Sequence, residues 1–261
     1  DIRGPILAAI ERLGTRGGTI ILPPGDWSSA GPIHLKSRIR LHLPKGTHLK
    51  FSRDPAHYLP LVFTRWEGTE CWNYSPLLYA RDCTDIAITG AGTIDGQGFE
   101  GFFRWRAQQQ ESQQLLRRMG AEGVPVAERR FGPGHYLRPG FVQFINCMRV
   151  LIEDVSLVDS PFWMVHPVYC DHVTLRGVRF KSDHLNSDGV DPDSSSNVLI
   201  ENCIFDCGDD GVSMKAGRDQ DGWRVGRPSS RIVVRDCDYR GTAGGGFAIG
   251  SEMSGGVNKI F

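Results

Sequence analysis

The 261-residue chain has no charge excess of either sign: 30 Lys and Arg stand against 30 Asp and Glu, for a formal net charge of zero. That balance argues against a general binder of nucleic acid or anionic membrane, either of which requires a basic surface. No apolar run approaches the roughly 20 residues that a membrane-spanning helix needs. No Cys-x-x-Cys pair occurs, so a structural zinc site is not expected. Seven cysteines, an odd number, make a poor disulfide framework, and a chain this long buries a core without staples. Four of them share a context, Asp82-Cys83, Asn146-Cys147, Asn202-Cys203 and Asp236-Cys237, which points to small buried thiols at a repeated structural position. The chain starts without Met and has no signal-type apolar region, so targeting is not legible in it. Its length fits one large domain, 1–261, better than two. What it has in excess is glycine, 32 residues against a usual frequency of about 7%, and tight turns follow from that.

The cysteine contexts lead to an internal repeat. Five short β-type runs, Ile86-Ala87-Ile88, Val150-Leu151-Ile152, Val173-Thr174-Leu175, Val198-Leu199-Ile200 and Ile232-Val233-Val234, each follow a polar residue: Asp85, Arg149, His172, Asn197 and Arg231. A second apolar step comes shortly after each, such as Ser156-Leu157-Val158 or Cys203-Ile204-Phe205. The starts are 64, 23, 25 and 34 residues apart. Units of about 20–30 residues made of short strands and turns are the mark of a solenoid. With no room for a helix inside the shorter units, the fold class expected is all-β, a single-stranded parallel β-helix. A propeller blade would need about 40 residues.

Two helical segments interrupt the pattern. Pro5 to Leu13 carries Ile6, Ile10 and Leu13 on one face, with Pro5 suited to the first helical position. Lying before a first strand at Thr19–Leu22, it is expected to cap the open end of the solenoid. Phe102 to Met119 reads as an inserted surface helix whose arginines 104, 106, 117 and 118 are either solvated or functional. Asn73-Tyr74-Ser75 matches a glycosylation acceptor by pattern only.

Overall neutrality hides a local bias. Eight acidic residues and no Lys or Arg lie between Ser182 and Asp210. Asp188 falls 15 residues after Val173, and Asp209 and Asp210 fall 11 and 12 after Val198, so the three occupy the same segment of successive coils. Adjacent rungs lie about 4.8 Å apart, and the carboxylates are expected to converge on one lateral patch. Trp163 and Gly244 fall on the coils to either side. Such a cluster admits three readings. One is glycoside hydrolysis, in which one carboxyl protonates the leaving oxygen and another activates water across about 6.5–9.5 Å in an inverting enzyme. Another is a calcium site. The third is solvated turn aspartates with no chemistry.

At these residues the sequence resembles the polygalacturonases, the family-28 glycoside hydrolases, in their bacterial and plant-like exo-acting branch. The Asn-Thr-Asp signature of that family stands here as Asn186-Ser187-Asp188 inside NSDGVDPDSS, and Gly-Asp-Asp as Gly208-Asp209-Asp210. GPIHLKS (31–37), TRWEG (64–68), NYSPLLYA (73–80), GTIDGQG (92–98), SPFW (160–163), HPV (166–168), GRDQDGWRVGRP (217–228) and IGSEMSGG (249–256) extend the likeness over nearly the entire chain. The resemblance implies a right-handed parallel β-helix that cleaves α-1,4-galacturonosidic bonds of pectin by inverting hydrolysis, without cofactor or metal. It implies Asp209 as general acid, with Asp188 and Asp210 sharing activation of the water. Like charges beside Asp209 favour its neutral form, in agreement. Asn186, Lys215, Arg218, Trp163 and His166 are the substrate-binding candidates, with Lys215 and Arg218 on the sugar carboxylate. A buried, structural His166 is the alternative, and Arg224 and Arg227 pair with Asp219 or Asp221 or face substrate. His184 reaches toward the groove without an assignable role. The implied partner is a galacturonan, with no nucleic acid and no membrane, bound by a monomer that is secreted or periplasmic.

Two departures from the family pattern stand out. The supporting Gly-His-Gly histidine aligns with Gly244 in the run Thr242-Ala243-Gly244-Gly245-Gly246-Phe247, which removes a side-chain donor and keeps open a second reading, a pectin-binding β-helix without catalysis. The family's Arg-x-Lys motif falls beyond Phe261, so the chain is expected to be a piece that lacks C-terminal coils and the start of the first strand.

Overall fold

The computed structural model describes every residue except Thr242. Strands stack in parallel, rung on rung, in the order in which they occur in the chain. The first sheet has eight: Gly18–Ile21, Ile39–His42, Thr84–Thr89, Met148–Glu153, Asp171–Arg176, Ser196–Glu201, Ser229–Arg235 and Val257–Ile260. A seven-stranded sheet, from Gly25–Ser29 to Asp238–Tyr239, makes the second face. Ile33–His34, Leu78–Arg81, Val142–Ile145 and Val165–Val168 make a third. Single bridges at Val190 and Asp193 carry that third face on to Val212–Met214 and Phe247–Ile249. The chain is a parallel β-helix.

The five runs seen in the sequence are five successive rungs, in register. Ile86 pairs with Val150, Val150 with Val173, Val173 with Val198 and Val198 with Ile232. All five side chains are buried in one continuous core. The polar residue before each run has positive φ, between 55° and 59° at Asp85, Arg149, His172, Asn197 and Arg231. Each therefore turns the chain into its strand by a single left-handed residue, a conformation that polar side chains tolerate better than β-branched ones. The cysteine contexts have the same cause. Asp82, Asn146, Asn202 and Asp236 are also left-handed, at 51° to 56°, and the next residue turns its thiol inward. All seven thiols are free, and six are buried.

Helix α1, Arg3–Leu13, covers the first rung with Ile6 and Ile10 buried against the core, as expected of a cap. It begins two residues before Pro5, which still lies in the first turn, where no amide donor is needed. The insertion differs from the single surface helix expected. Phe102–Ala107 is a 3₁₀ segment, followed by α2 over Gln109–Ala121. Leu116 of α2 is buried in a second apolar cluster with Trp66, Phe162 and Trp163, so the insert leans onto the third face. An antiparallel hairpin, Val62–Trp66 with Thr69–Asn73, packs there too. Its two-residue turn, Glu67-Gly68, has φ of 41° and 77°, the positive values that suit the right-handed twist of a hairpin. Asn73 is buried and donates to the Leu137 carbonyl at 3.1 Å, which keeps the glycosylation pattern out of reach.

Buried ion pairs fasten these additions. Arg65 donates to Asp193 at 2.8 Å, and Arg129 to Asp221 at 2.7 Å, with all four side chains essentially inaccessible. Arg224 closes the second cluster onto Asp221 and Glu70, so its structural pairing is the one observed. Arg227 lies over the Tyr169 ring instead of an aspartate.

Because each rung rests on its neighbours, Ile200→Ala, at a wholly buried ladder position, is expected to cost about 2–5 kcal/mol. A urea titration followed by circular dichroism would show it as a lower unfolding midpoint.

Candidate active site

The carboxylates lie where the chain turns from the second sheet to the third. Backbone bonds hold successive turns in step: Met164 donates to the Asp188 carbonyl at 2.9 Å, Gly189 to that of Asp210 at 2.9 Å, and Gly211 to that of Gly245 at 2.8 Å. Each rung thus contributes one or two residues to a single line. Carboxylate oxygens of Asp188, Asp209 and Asp210 come within 4.8 Å of one another. They line a pocket of about 170 Å³ together with Trp163, Asn186, Lys215, Ser251, Glu252 and Glu67.

The three carboxylates are not equivalent. Asp188 is buried while Asp209 and Asp210 are half-buried. Asp209 accepts backbone N–H bonds from Asn186 at 3.0 Å and Asp210 at 3.1 Å. Asp188 has a buried oxygen, Oδ1, with no donor. Burial, followed by the charges of Asp209 and Asp210, raises its pKa to about 7 in spite of Lys215. Burial and the like charges beside it thus favour the neutral form of Asp188 in the free chain.

Lys215 is the counterweight. Its ammonium lies 3.1 Å from Glu252, 3.6 Å from Asp191 and 3.8 Å from Asp188, and 4.6 Å from the centre of the Trp163 ring. Burial opposes its charge, but Asp191, Glu252 and Asp188 overcome that and hold its pKa above the ordinary lysine value. Arg218 pairs with Glu252 and donates to the Glu67 carbonyl at 3.1 Å. Both cations nominated for the sugar carboxylate are thus already neutralised by the protein. Any metal would share the three aspartates with the Lys215 ammonium, an arrangement that disfavours a second cation.

His166 does not line the pocket. It is 2% exposed, beneath Trp163, with Gln143 at 2.8 Å from Nδ1 and Asp193 at 3.2 Å from Nε2. Its pKa is lowered by burial against the pull of Asp193, so it is the satisfied interior histidine. Asn186 points its side-chain oxygen at Arg138, 2.7 Å away, and offers its backbone to Asp209. His184 bonds Asp159 at 2.7 Å and stacks with Phe99 and Phe103 in a neighbouring hollow.

Gly244 has φ of 73°, and a Cβ there would stand 2.6 Å from backbone atoms of both Asp209 and Asp210. A side chain does not fit that conformation. Beside it the Gly245 N–H donates to Asp210 Oδ1 at 2.8 Å. Glu67 and Glu252 were not expected in the site. Glu67 arrives on the hairpin turn, and only the Glu-Gly pair between alternating apolar residues signals it.

On the flank of a parallel β-helix, three aspartates that converge beside a buried lysine and a tryptophan make a site suited to acid–base chemistry. Residues 131–260, which contain the whole aspartate cluster, match the model of the glycosyl hydrolases family 28. The chain belongs to that family. It is 29% identical to a probable polygalacturonase of Vitis vinifera over 97% of this chain and 48% of the relative. It is 27% identical to an endo-polygalacturonase of Pectobacterium carotovorum subsp. carotovorum over 88% of this chain and 52% of the relative. Among solved structures, an exopolygalacturonase from Thermotoga maritima superposes with a TM-score of 0.95 at 47% identity, over 98% of this chain and 60% of that one. The chain spans about half the length of these two curated relatives.

The raised pKa of Asp188 bears on stability. The folded state holds this proton up to about pH 7, whereas an unfolded aspartate releases it near 4. Stability from this group is therefore full at low pH and is lost as pH rises through about 7. Asp188→Asn is expected to melt several degrees above the parent at pH 8 and level with it at pH 4, as thermal scans at the two pH values would show.

Proposed function

We propose that the protein hydrolyses α-1,4-galacturonosidic bonds of polygalacturonate by acid–base catalysis. The observation that carries the reading is the convergence of Asp188, Asp209 and Asp210 within 4.8 Å in a groove beside Lys215 and Trp163. Asp209 delivers a proton to the glycosidic oxygen, and Asp188 and Asp210 orient and activate the attacking water. In the free chain burial favours a proton on Asp188, and the short distances among the three carboxylates put that proton within reach of Asp209. Lys215 keeps the remaining negative charge tolerable without consuming the proton.

The non-catalytic reading rested on Gly244; the donation of the Gly245 amide to Asp210 supports the catalytic one. A polymeric substrate too large to cross a membrane supports an enzyme that works outside the cytoplasm, secreted or periplasmic; among the described residues no helix is long and apolar enough to span a membrane.

Incubation with polygalacturonate is expected to release reducing ends at a rate that EDTA leaves unchanged. Asp209→Asn is expected to slow release by about 10²–10⁴-fold, the usual contribution of a positioned acid. Proton NMR of the first product should show the β-anomer. No release by the parent, or unsaturated products, would contradict the proposal.

A further inference from the structure

The cations that the sequence nominated for an acidic sugar, Lys215 and Arg218, each also hold a carboxylate of the protein, which leaves a part for a further cation in meeting the sugar's charge. A second cavity of about 510 Å³ opens beside the aspartate pocket and shares Glu67, Asn186, Ser251 and Glu252 with it. Its remaining wall is the insertion. Arg117 and Gln113 of that wall both donate to Glu67 at 2.8 Å. Arg106 and Gln110 also line it, and among the described residues neither makes a side-chain hydrogen bond and Arg106 makes no ion pair. Arg106 is exposed toward the cavity edge, and its charge also reaches the buried Arg138, whose guanidinium is disfavoured first by burial and then by this like charge. Glu67 and Glu252, the anions of this wall, each already hold an arginine. Arg106 is the surplus positive charge of the groove, and a planar guanidinium is matched in geometry to a carboxylate.

We propose that Arg106, helped by the Gln110 amide, binds the carboxylate of the galacturonate unit that occupies this cavity, and so makes the site select free over methyl-esterified units. The proposal rests on the groove being the substrate site, and its test reads binding so that it does not depend on turnover. Because an ion pair to a carboxylate disappears on esterification while the sugar hydroxyls remain, the ester separates this role from general packing.

Trigalacturonate and its fully methyl-esterified form would be titrated by calorimetry into Asp209→Asn and into Asp209→Asn carrying Arg106→Gln. The expected result is at least tenfold weaker binding of trigalacturonate in the double variant, with the ester changed less than twofold and Arg106→Lys restoring part of the loss. Arg104→Gln, at a neighbouring arginine that pairs with Glu100 outside the cavity, should change neither. Equal losses for acid and ester, or no loss for either, would overturn the proposal. An Arg106-dependent affinity in a chain without hydrolysis would uphold it while refuting the hydrolase reading.

Discussion

The spacing of the rungs governs everything else in this molecule. Parallel strands of a stacked coil lie about 4.8 Å apart, and residues in equivalent turns cannot avoid one another. Asp188 and the Asp209-Asp210 pair are about 20 residues apart in sequence, yet the bond from Gly189 to the Asp210 carbonyl brings their backbones into adjacent rungs. Three carboxylates in such proximity are costly when ionised together. The fold imposes the crowding, and the chemistry uses it.

Lys215 makes the crowding tolerable. An ammonium enclosed by Asp188, Asp191 and Glu252 balances part of the charge, while burial of Asp188 favours its protonated form up to about pH 7. Three buried oxygens, both of Asp191 and one of Asp188, lack hydrogen-bond donors. These orphaned groups concentrate around the site, as expected where structure gives up stability for reactivity. The supports are remote in sequence: Arg65 from the hairpin fixes Asp193, Asp193 fixes His166, and His166 underlies Trp163.

How much of this could be read from the chain depends on the kind of interaction. The coil was legible because a repeat registers itself: the apolar pair in each rung, the left-handed polar residue before it and the cysteine after a turn recur at matching positions. The aspartates were legible because they recur in the same phase. The pairing partners of Lys215, Arg218 and His166 were not, since a motif shows that a charge is near the site and cannot show which neighbour neutralises it. The hairpin and α2 were missed in part because they interrupt the repeat and have no phase to follow. Glu67 and Arg106 reach the groove through these insertions. Gly244 was legible as a missing side chain, whereas the amide beside it that donates to Asp210 belongs to a backbone conformation.

The pH dependence of kcat/KM on an oligogalacturonate, followed from pH 4 to 9, tests the account of a proton favoured on Asp188 most directly. If the cluster must carry one proton to act, and loses it at about pH 7, kcat/KM falls about tenfold for each pH unit above that point. A rate that stays level through pH 8, or rises as pH passes 7, would contradict it.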